Sequence, residues 1–196
     1  MRSQVHCYPH RDMKVVIGLL RGVNLAGRNQ IKMDVLRALC ESIGLCNPLT
    51  WLQSGNVIFS TKERNLPKLA RRIEGAIEKK VGFRPDVVLR TPDELRKVIE
   101  KNPFIKRKDV EGSKLLVTFF EDAPAPEVRE QILNIKGHPE EIHVMSRELY
   151  IYYPDGMGRS KLNPVLNRVL KNKGTARNWN TVGKLLEMAA EMENNC

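Results

Sequence analysis

The residues best suited to chemistry lie in two clusters, Gly156–Lys161 and Thr175–Thr181, within the stretch YPDGMGRSKLNPVLNRVLKNKGTARNWNT from Tyr153 to Thr181. From Arg159 to Lys184 there are seven Lys or Arg residues and no Asp or Glu. A run that one-sided raises a local positive potential and attracts anions such as phosphate groups. In the first cluster, Gly158-Arg159-Ser160-Lys161 opens a predicted helix. Ser160 serves as its N-cap, and the helix amides stand beside Arg159 and Lys161 to receive an anion, against a competing reading of a capped helix with solvated charges. In the second, Arg177, Asn178 and Asn180 with the indole of Trp179 make a strip of guanidinium fork, amides and stacking surface. The competing reading assigns Trp179 to the core and gives Asn180 or Thr181 the job of capping the last helix.

A third candidate follows the first predicted strand. Gly22-x4-Gly27-Arg28-Asn29 sits between a strand and a helix, where a phosphate-cradling loop belongs. A nucleotide-hydrolysing loop needs Lys and Ser/Thr at the places of Arg28 and Asn29, for the terminal phosphates and for magnesium, so hydrolysis is not expected. Anion capture by Gly22 and its neighbours through backbone N–H groups, with Arg21 or Arg28, remains open beside a purely turn-forming role in which Asn24 caps the loop. Ser54-Gly55-Asn56 supplies a hydroxyl, but the sequence offers no base for it, and a hairpin turn is the competing job. His138 and His143 have no predicted partner, and neither G-x-S-x-G nor H-E-x-x-H occurs. No catalytic constellation is recognisable, no cofactor is called for, and no metal site is expected. Cys7 with His6 and His10 lacks the spaced partners that a zinc site requires.

The aromatic run Leu149-Tyr150-Ile151-Tyr152-Tyr153 places Tyr150 and Tyr152 on one face of a strand. On an open sheet such a pair would stack on bases, yet the ribonucleoprotein pattern that normally accompanies it is absent.

These candidates are positioned by a repeating set of elements. Lys14–Leu20 (KVVIGLL) is a continuous β-branched run and reads as a buried central strand. Ile31–Ile43 is an amphipathic helix, followed by short strands at Thr50–Gln53 and Asn56–Ser60, a helix at Leu66–Val81 closed by Gly82, and a strand at Asp86–Leu89. Thr91-Pro92-Asp93-Glu94 combines N-cap, N1 proline and N3 glutamate, a strong helix start. The same order recurs from Lys114: strand to Phe120, helix Pro126–Ile135, strands Glu141–Met145 and Leu149–Tyr153, helix Asn163–Leu170, short strand Thr175–Asn178, helix Val182–Met192. Two βαββαβ units, each with an appended helix, account for the chain. The expected fold is α+β, a tandem pair of ferredoxin-like halves. The expected divisions are a frayed extension over 1–12, a first half over 13–103, a charged linker over 104–113 and a second half over 114–193.

Bulk composition agrees with a folded chain. Hydrophobic residues make up 41% and charged residues 29% of 196, which separates it from disordered sequences. No apolar run approaches the roughly 20 residues of a membrane span, and MRSQVHCYPHRDM lacks the apolar core of a signal peptide, so a cytoplasmic location is expected. The net charge of +10 and pI near 9.6 favour nucleic acid or phosphorylated small molecules as partners, and self-association between acidic and basic regions is a further possibility. The four cysteines are too scattered to be a disulfide framework, and Cys40 falls on an apolar helix face.

At Leu20-Arg21-Gly22-Val23-Asn24, Gln53-Ser54-Gly55-Asn56-Val57, Gly156-x-Gly158-x-Ser160-Lys161 and Thr175-x-Arg177-Asn178-Trp179-Asn180-Thr181-Val182, the chain resembles the bacterial domain-of-unknown-function 1697 family, over about residues 13–190. Leu25-Ala26-Gly27-Arg28 varies the family's usual loop. The resemblance supplies no reaction. It implies that Arg21, Asn24, Ser54, Asn56, Ser160, Lys161, Arg177 and Asn180 do more than form turns, for which an anion pocket shared by the halves is the physical reading. Three functions stay open: a non-enzymatic binder of phosphate-bearing ligands, an enzyme on a small anionic substrate, and a structural or interaction module without a ligand.

Overall fold

The β-branched run KVVIGLL forms β1 (Lys14–Leu20), and it is buried on both faces from Val15 onward. It is the third strand of a four-stranded antiparallel sheet ordered β2-β3-β1-β4, with β2 Cys46–Trp51, β3 Asn56–Thr61 and β4 Val87–Arg90. A second antiparallel sheet has the order β6-β7-β5-β8, with β5 Leu115–Phe119, β6 Glu141–Met145, β7 Glu148–Tyr152 and β8 Thr175–Asn178. The helices are α1 (Met33–Ser42), α2 (Leu66–Val81), α3 (Pro92–Glu100), α4 (Pro126–Leu133), α5 (Leu162–Val169) and α6 (Trp179–Asn194). This computed structural model describes residues 12–171 and 173–195. Most of the extension expected over 1–12, including Cys7, His6 and His10, lies outside the described residues. No described helix is long and apolar enough to cross a membrane.

The chain is therefore α+β, with two four-stranded antiparallel sheets and six helices among the described residues. It forms two compact units, one running to Leu95 and taking in the residues from Leu185 onward, the other Arg96–Lys184.

In the first unit, period-2 alternation sends Val16, Leu20, Val57, Phe59, Val87 and Leu89 to the helix side of the sheet. There they meet Leu36, Leu39 and Cys40 of α1 and Leu69, Ala70, Ile73 and Ile77 of α2. Gly82 ends α2 in the left-handed conformation, φ 81°, as its sequence position requires. Thr91 and Glu94 exchange side-chain to backbone bonds at 2.9 and 3.2 Å, a capping box that starts α3.

Strand β2 begins earlier than expected, at Cys46, and it is irregular. Pro48 lies within it, Asn47 has φ 51°, and its register against β3 shifts between Cys46 and Leu49. Those features make Cys46–Leu49 look like loop residues to a strand-propensity reading.

In the second unit, Phe120, Val144, Leu149, Ile151 and Tyr153 form the helix side, packed with Ile132 of α4 and Leu162 and Leu166 of α5. The opposite face is covered as well. Phe104, within the stretch expected to be a linker, is only 3% exposed and packs on Tyr152 (ring centroids 6.0 Å) and His143 (5.1 Å, edge-on). Arg107 lies over the Phe104 and Tyr152 rings and bonds Asp109 and Glu141. A charged, turn-rich segment thus docks on the sheet through one aromatic anchor, which composition alone masks.

Candidate functional site

The first-unit candidates converge on one end of their sheet. The end of β1 meets the β2–β3 turn through Leu20 N–H donating to the Gly55 carbonyl at 2.8 Å. It meets the entry to β4 through Arg21 N–H donating to the Asp86 carbonyl at 2.9 Å, and the Arg21 guanidinium reaches the Asp86 carboxylate at 3.2 Å. Asn24 is consumed by the framework. Its Nδ2 donates to the Ile31 and Gln53 carbonyls at 3.0 and 2.7 Å, and its Oδ1 accepts from Ile31 N–H at 2.9 Å. Asn56, fully buried, donates from Nδ2 to the Trp51 carbonyl and to Ser54 Oγ, both at 2.9 Å. Asn29 donates to the Gly22 carbonyl at 3.0 Å.

Arg21, Gly22, Asn24, Ser54 and Asn56 are thus brought together, and the bonds of Arg21, Asn24 and Asn56 go mostly to the surrounding backbone and to Asp86, with Asn56 to Ser54 a bond made within the set. This end also stores backbone strain. Gly22, Asn24, Ala26, Gly27 and Asn29 in the loop, and Leu52 in the turn, all have φ between 45° and 79°. For Ala26 and Leu52 that conformation is costly. It presents Leu25 (61% exposed) and Leu52 (56%) to solvent.

The second-unit clusters also share one end of their sheet. Strands β7 and β8 both run antiparallel to β5, so both finish beside its start. Tyr153 N–H donates to the Lys114 carbonyl at 2.9 Å, and Asn178 Nδ2 donates to the Ser113 carbonyl at 2.8 Å. The Gly156–Lys161 loop and the start of α6 therefore flank the short 3-10 turn Gly112–Lys114.

Two expected caps are corrected here. Lys161, in helical conformation, occupies the cap position of α5, while Ser160 Oγ accepts from Leu162 N–H at 3.1 Å. The loop before α5 is held by Asn163, which donates to the Met157 carbonyl at 3.1 Å and accepts from the Tyr153 hydroxyl at 2.8 Å. Helix α6 starts at Trp179, earlier than expected, because Asn178 Oδ1 takes Asn180 N–H at 3.0 Å. Asn178 is the cap, in place of Asn180 or Thr181.

Arg177 is also not where a recognition fork belongs. It is 6% exposed, and Nη1 donates to Thr175 Oγ1 at 2.7 Å and to the Ala176 carbonyl at 2.8 Å. Burial pushes its pKa down to about 10. The aromatic strand is closed to bases too. Tyr150 is buried and its hydroxyl donates to the Val98 carbonyl at 2.8 Å, while the Tyr152 hydroxyl donates to the Asp109 carbonyl at 3.3 Å. Burial raises the Tyr150 and Tyr153 phenols above the ordinary range, so both remain neutral donors.

What stays in solvent is charge. Arg159, Lys161, Arg168, Lys171 and Lys173 are all exposed, and none forms an ion pair among the described residues. Arg168, Lys171 and Lys173 were visible only as part of a charge run. The signal that singles them out is Leu162, Leu166 and Leu170, whose four-residue spacing sets the buried face of α5 and turns Lys161 and Arg168 away from it.

His138, which had no predicted partner, has its Nε2 2.9 Å from the Ile135 carbonyl, while its buried Nδ1 lies 3.4 Å from Glu140 Oε2 without a hydrogen bond between them. A cleft of about 560 Å³ opens between α4 and α5, lined by Glu130, Asn134, Ile135, Lys136, Val165 and Val169 among others, and it contains none of the expected site residues. Among the described residues no three His, Cys, Asp or Glu side chains converge as a metal site needs.

A two-sheet α+β chain with these glycine–asparagine loops defines a class for which a family model exists. The model described as "Protein of unknown function (DUF1697)" matches residues 13–150, and the chain belongs to that family. The matched span holds the Leu20–Asn24 and Gln53–Val57 motifs, while those from Gly156 onward lie past it. Among solved structures the chain is similar to the conserved bacterial protein SP0830 from Streptococcus pneumoniae, at 19% identity and a TM-score of 0.76, covering 90% of this chain and 99% of that one. At that identity the likeness is one of fold. No curated protein matches the chain.

Proposed function

We propose that the protein binds phosphate-bearing ligands without transforming them, nucleic acid ahead of single nucleotides, through the basic surface around α5. The observation that carries this reading is the set Arg159, Lys161, Arg168, Lys171 and Lys173, exposed and without ion pairs among the described residues, in a stretch free of Asp and Glu. Unpaired surface cations hold no competing carboxylate, and a polyanion that meets them gains entropy by releasing its own counterions. The charges are spread along a helix and the turn after it, an arrangement suited to a polymer more than to one phosphate. The glycine–asparagine motifs serve this reading as framework: Asn24, Asn56 and Asn178 spend their amides on backbone or on neighbouring side chains.

Each half is read as ferredoxin-like, over 13–103 and 114–193. The strand orders β2-β3-β1-β4 and β6-β7-β5-β8, with two helices following in the βαββαβ sequence, support that reading. A cytoplasmic setting, where nucleic acid is at hand, belongs to the same proposal.

The test is fluorescence anisotropy with labelled single-stranded and duplex oligonucleotides at several salt concentrations. The variant carries Lys161→Gln, Arg168→Gln and Lys171→Gln. Wild type is expected to bind with an affinity that falls steeply with salt, and the variant to show a slope shallower by about 2–3. Absence of binding at low salt overturns the proposal.

A further inference from the structure

Helix α2 carries a separate concentration of positive charge, in the first unit. Leu69, Ala70, Ile73 and Ile77 define its buried face. At 3.6 residues per turn, Lys68, Arg71, Arg72 and Lys79 fall on the opposite face, and all four are exposed. Glu78 shares this outward face with Arg71 and Glu74 lies at its margin, but among the described residues neither carboxylate pairs with the stripe. Glu74 and Glu78 both turn to Arg84, at 3.0 and 3.4 Å, and Glu74 also accepts from Val87 N–H at 3.1 Å. Glu63, ahead of the helix, pairs with Lys68 at 3.8 Å and lies in the field of Arg72. Arg71, Arg72 and Lys79 form no ion pair among the described residues, and exposed Lys62 and Arg64 extend the basic surface at its N-terminal end.

Gly75 stands in the middle of this stripe, one helical turn from both Arg71 and Lys79. The fold gives no packing reason for it, since a Cβ there would meet nothing within 4 Å. Glycine inside a helix is less favourable than alanine by roughly 1 kcal/mol. A bare backbone at the centre of a cationic face is what a closely approaching partner chain needs.

We propose that this face of α2 binds the sugar–phosphate backbone of a nucleic acid, with Gly75 at the point of closest approach. From Lys68 to Lys79 the helix rises about 16 Å, which spans several successive phosphates of a strand. Burial of Leu69, Ile73 and Ile77 in the unit's own core leaves α2 no apolar face to enter a bilayer, which separates it from basic helices that lie on membranes. The inference rests on the nucleic-acid reading above but assigns a different surface to it.

The experiment measures duplex binding by anisotropy across salt for four proteins. They are wild type, the combined Arg71→Gln, Arg72→Gln, Lys79→Gln variant, Gly75→Gln, and a charge-matched control with Lys101→Gln, Lys106→Gln and Lys108→Gln. Thermal melts verify that each is folded. The stripe variant is expected to lose at least tenfold in affinity and about 2–3 in salt slope relative to the control. Gly75→Gln is expected to lose about threefold or more with no change in charge. If wild type binds and the stripe variant matches the control, this inference is overturned and the α5 reading stands. If wild type does not bind, both fall. Anionic vesicles bound more tightly than duplex through the same stripe would also overturn it.

Discussion

Arg90 and Arg177 hold equivalent stations in the two sheets. Arg90 pairs with Ile17 of β1, and Arg177 pairs with Val117 of β5. Ile17 and Val117 pair on their other sides with Ile58 and Tyr150. Both arginines are buried, and each donates Nη1 to the carbonyl of the residue just before it, Leu89 at 3.0 Å and Ala176 at 2.8 Å. The two halves repeat a buried guanidinium that no alignment of VVLR with TARN would single out.

For Arg177 this makes a structural role the expected one. Arg177→Ala should lower unfolding free energy by about 1–3 kcal/mol, by removing bonded donors from a buried site. Arg177→Lys should recover only part of it, because an ammonium cannot reproduce the fork. Urea unfolding measures both, and the affinity of the folded fraction for a duplex should be unaltered.

Asn24 closes the loop between β1 and α1 with three hydrogen bonds. Asn24→Ala should cost about 1–3 kcal/mol. Asn24→Asp should not rescue it, because the two donated bonds go to carbonyl oxygens that a carboxylate repels. Hydrogen exchange at the Ile31 amide, which donates to Asn24 Oδ1, reports the loosening directly.

Two glycines should respond with opposite signs. Gly55 has φ 74°, and an added Cβ would come within 2.5 Å of Val23 and 2.7 Å of Leu20. Gly55→Ala should therefore destabilise by more than about 1 kcal/mol. Gly75→Ala, in open helix surface, should stabilise by roughly 0.5–1 kcal/mol. Denaturant midpoints of the two variants decide it.

Cys40 supplies a pH dependence. Burial pushes its thiol from 9.0 up to about 12. An acid whose folded pKa is raised ionises first in the unfolded chain. Stability from this group is therefore intact below pH 9 and falls as pH rises from 9 towards 12. Wild type should lose stability faster than Cys40→Ala across that window in equilibrium unfolding. Mass-mapped alkylation of native protein at pH 8 should leave Cys40 unmodified.

The elements were legible where the pattern was local. KVVIGLL, the Thr91–Glu94 box and Gly82 each announce their structure through side-chain type and spacing, and the α+β order follows from them. The candidate site was legible in part. The sequence placed Arg21, Asn24 and Ser54 in loops and Asn56 at the start of a strand, and the sheet brought them together. It could not reveal that their polar atoms would be spent on the surrounding framework, because such bonds join residues as distant as Asn24 and Gln53. Arg177 misled for a related reason: a charged residue in a polar strip reads as exposed, whereas its register opposite Val117 turns it inward. The α2 stripe was readable from Lys68, Arg71, Arg72 and Lys79, but Glu74 and Glu78 offset it in any count of charge, and only the fold shows both carboxylates turned to Arg84.

Strand β2, with Pro48, left-handed Asn47 and its shifted register, forms the outer margin of the first sheet. A sheet margin normally offers an even row of free N–H and C=O groups, a template on which a neighbouring molecule can add a strand and seed a fibril. Here the row is interrupted at its middle by a residue with no N–H and by a kink beside it. Leu49 can therefore stand 44% exposed on that margin without becoming the start of a polymer.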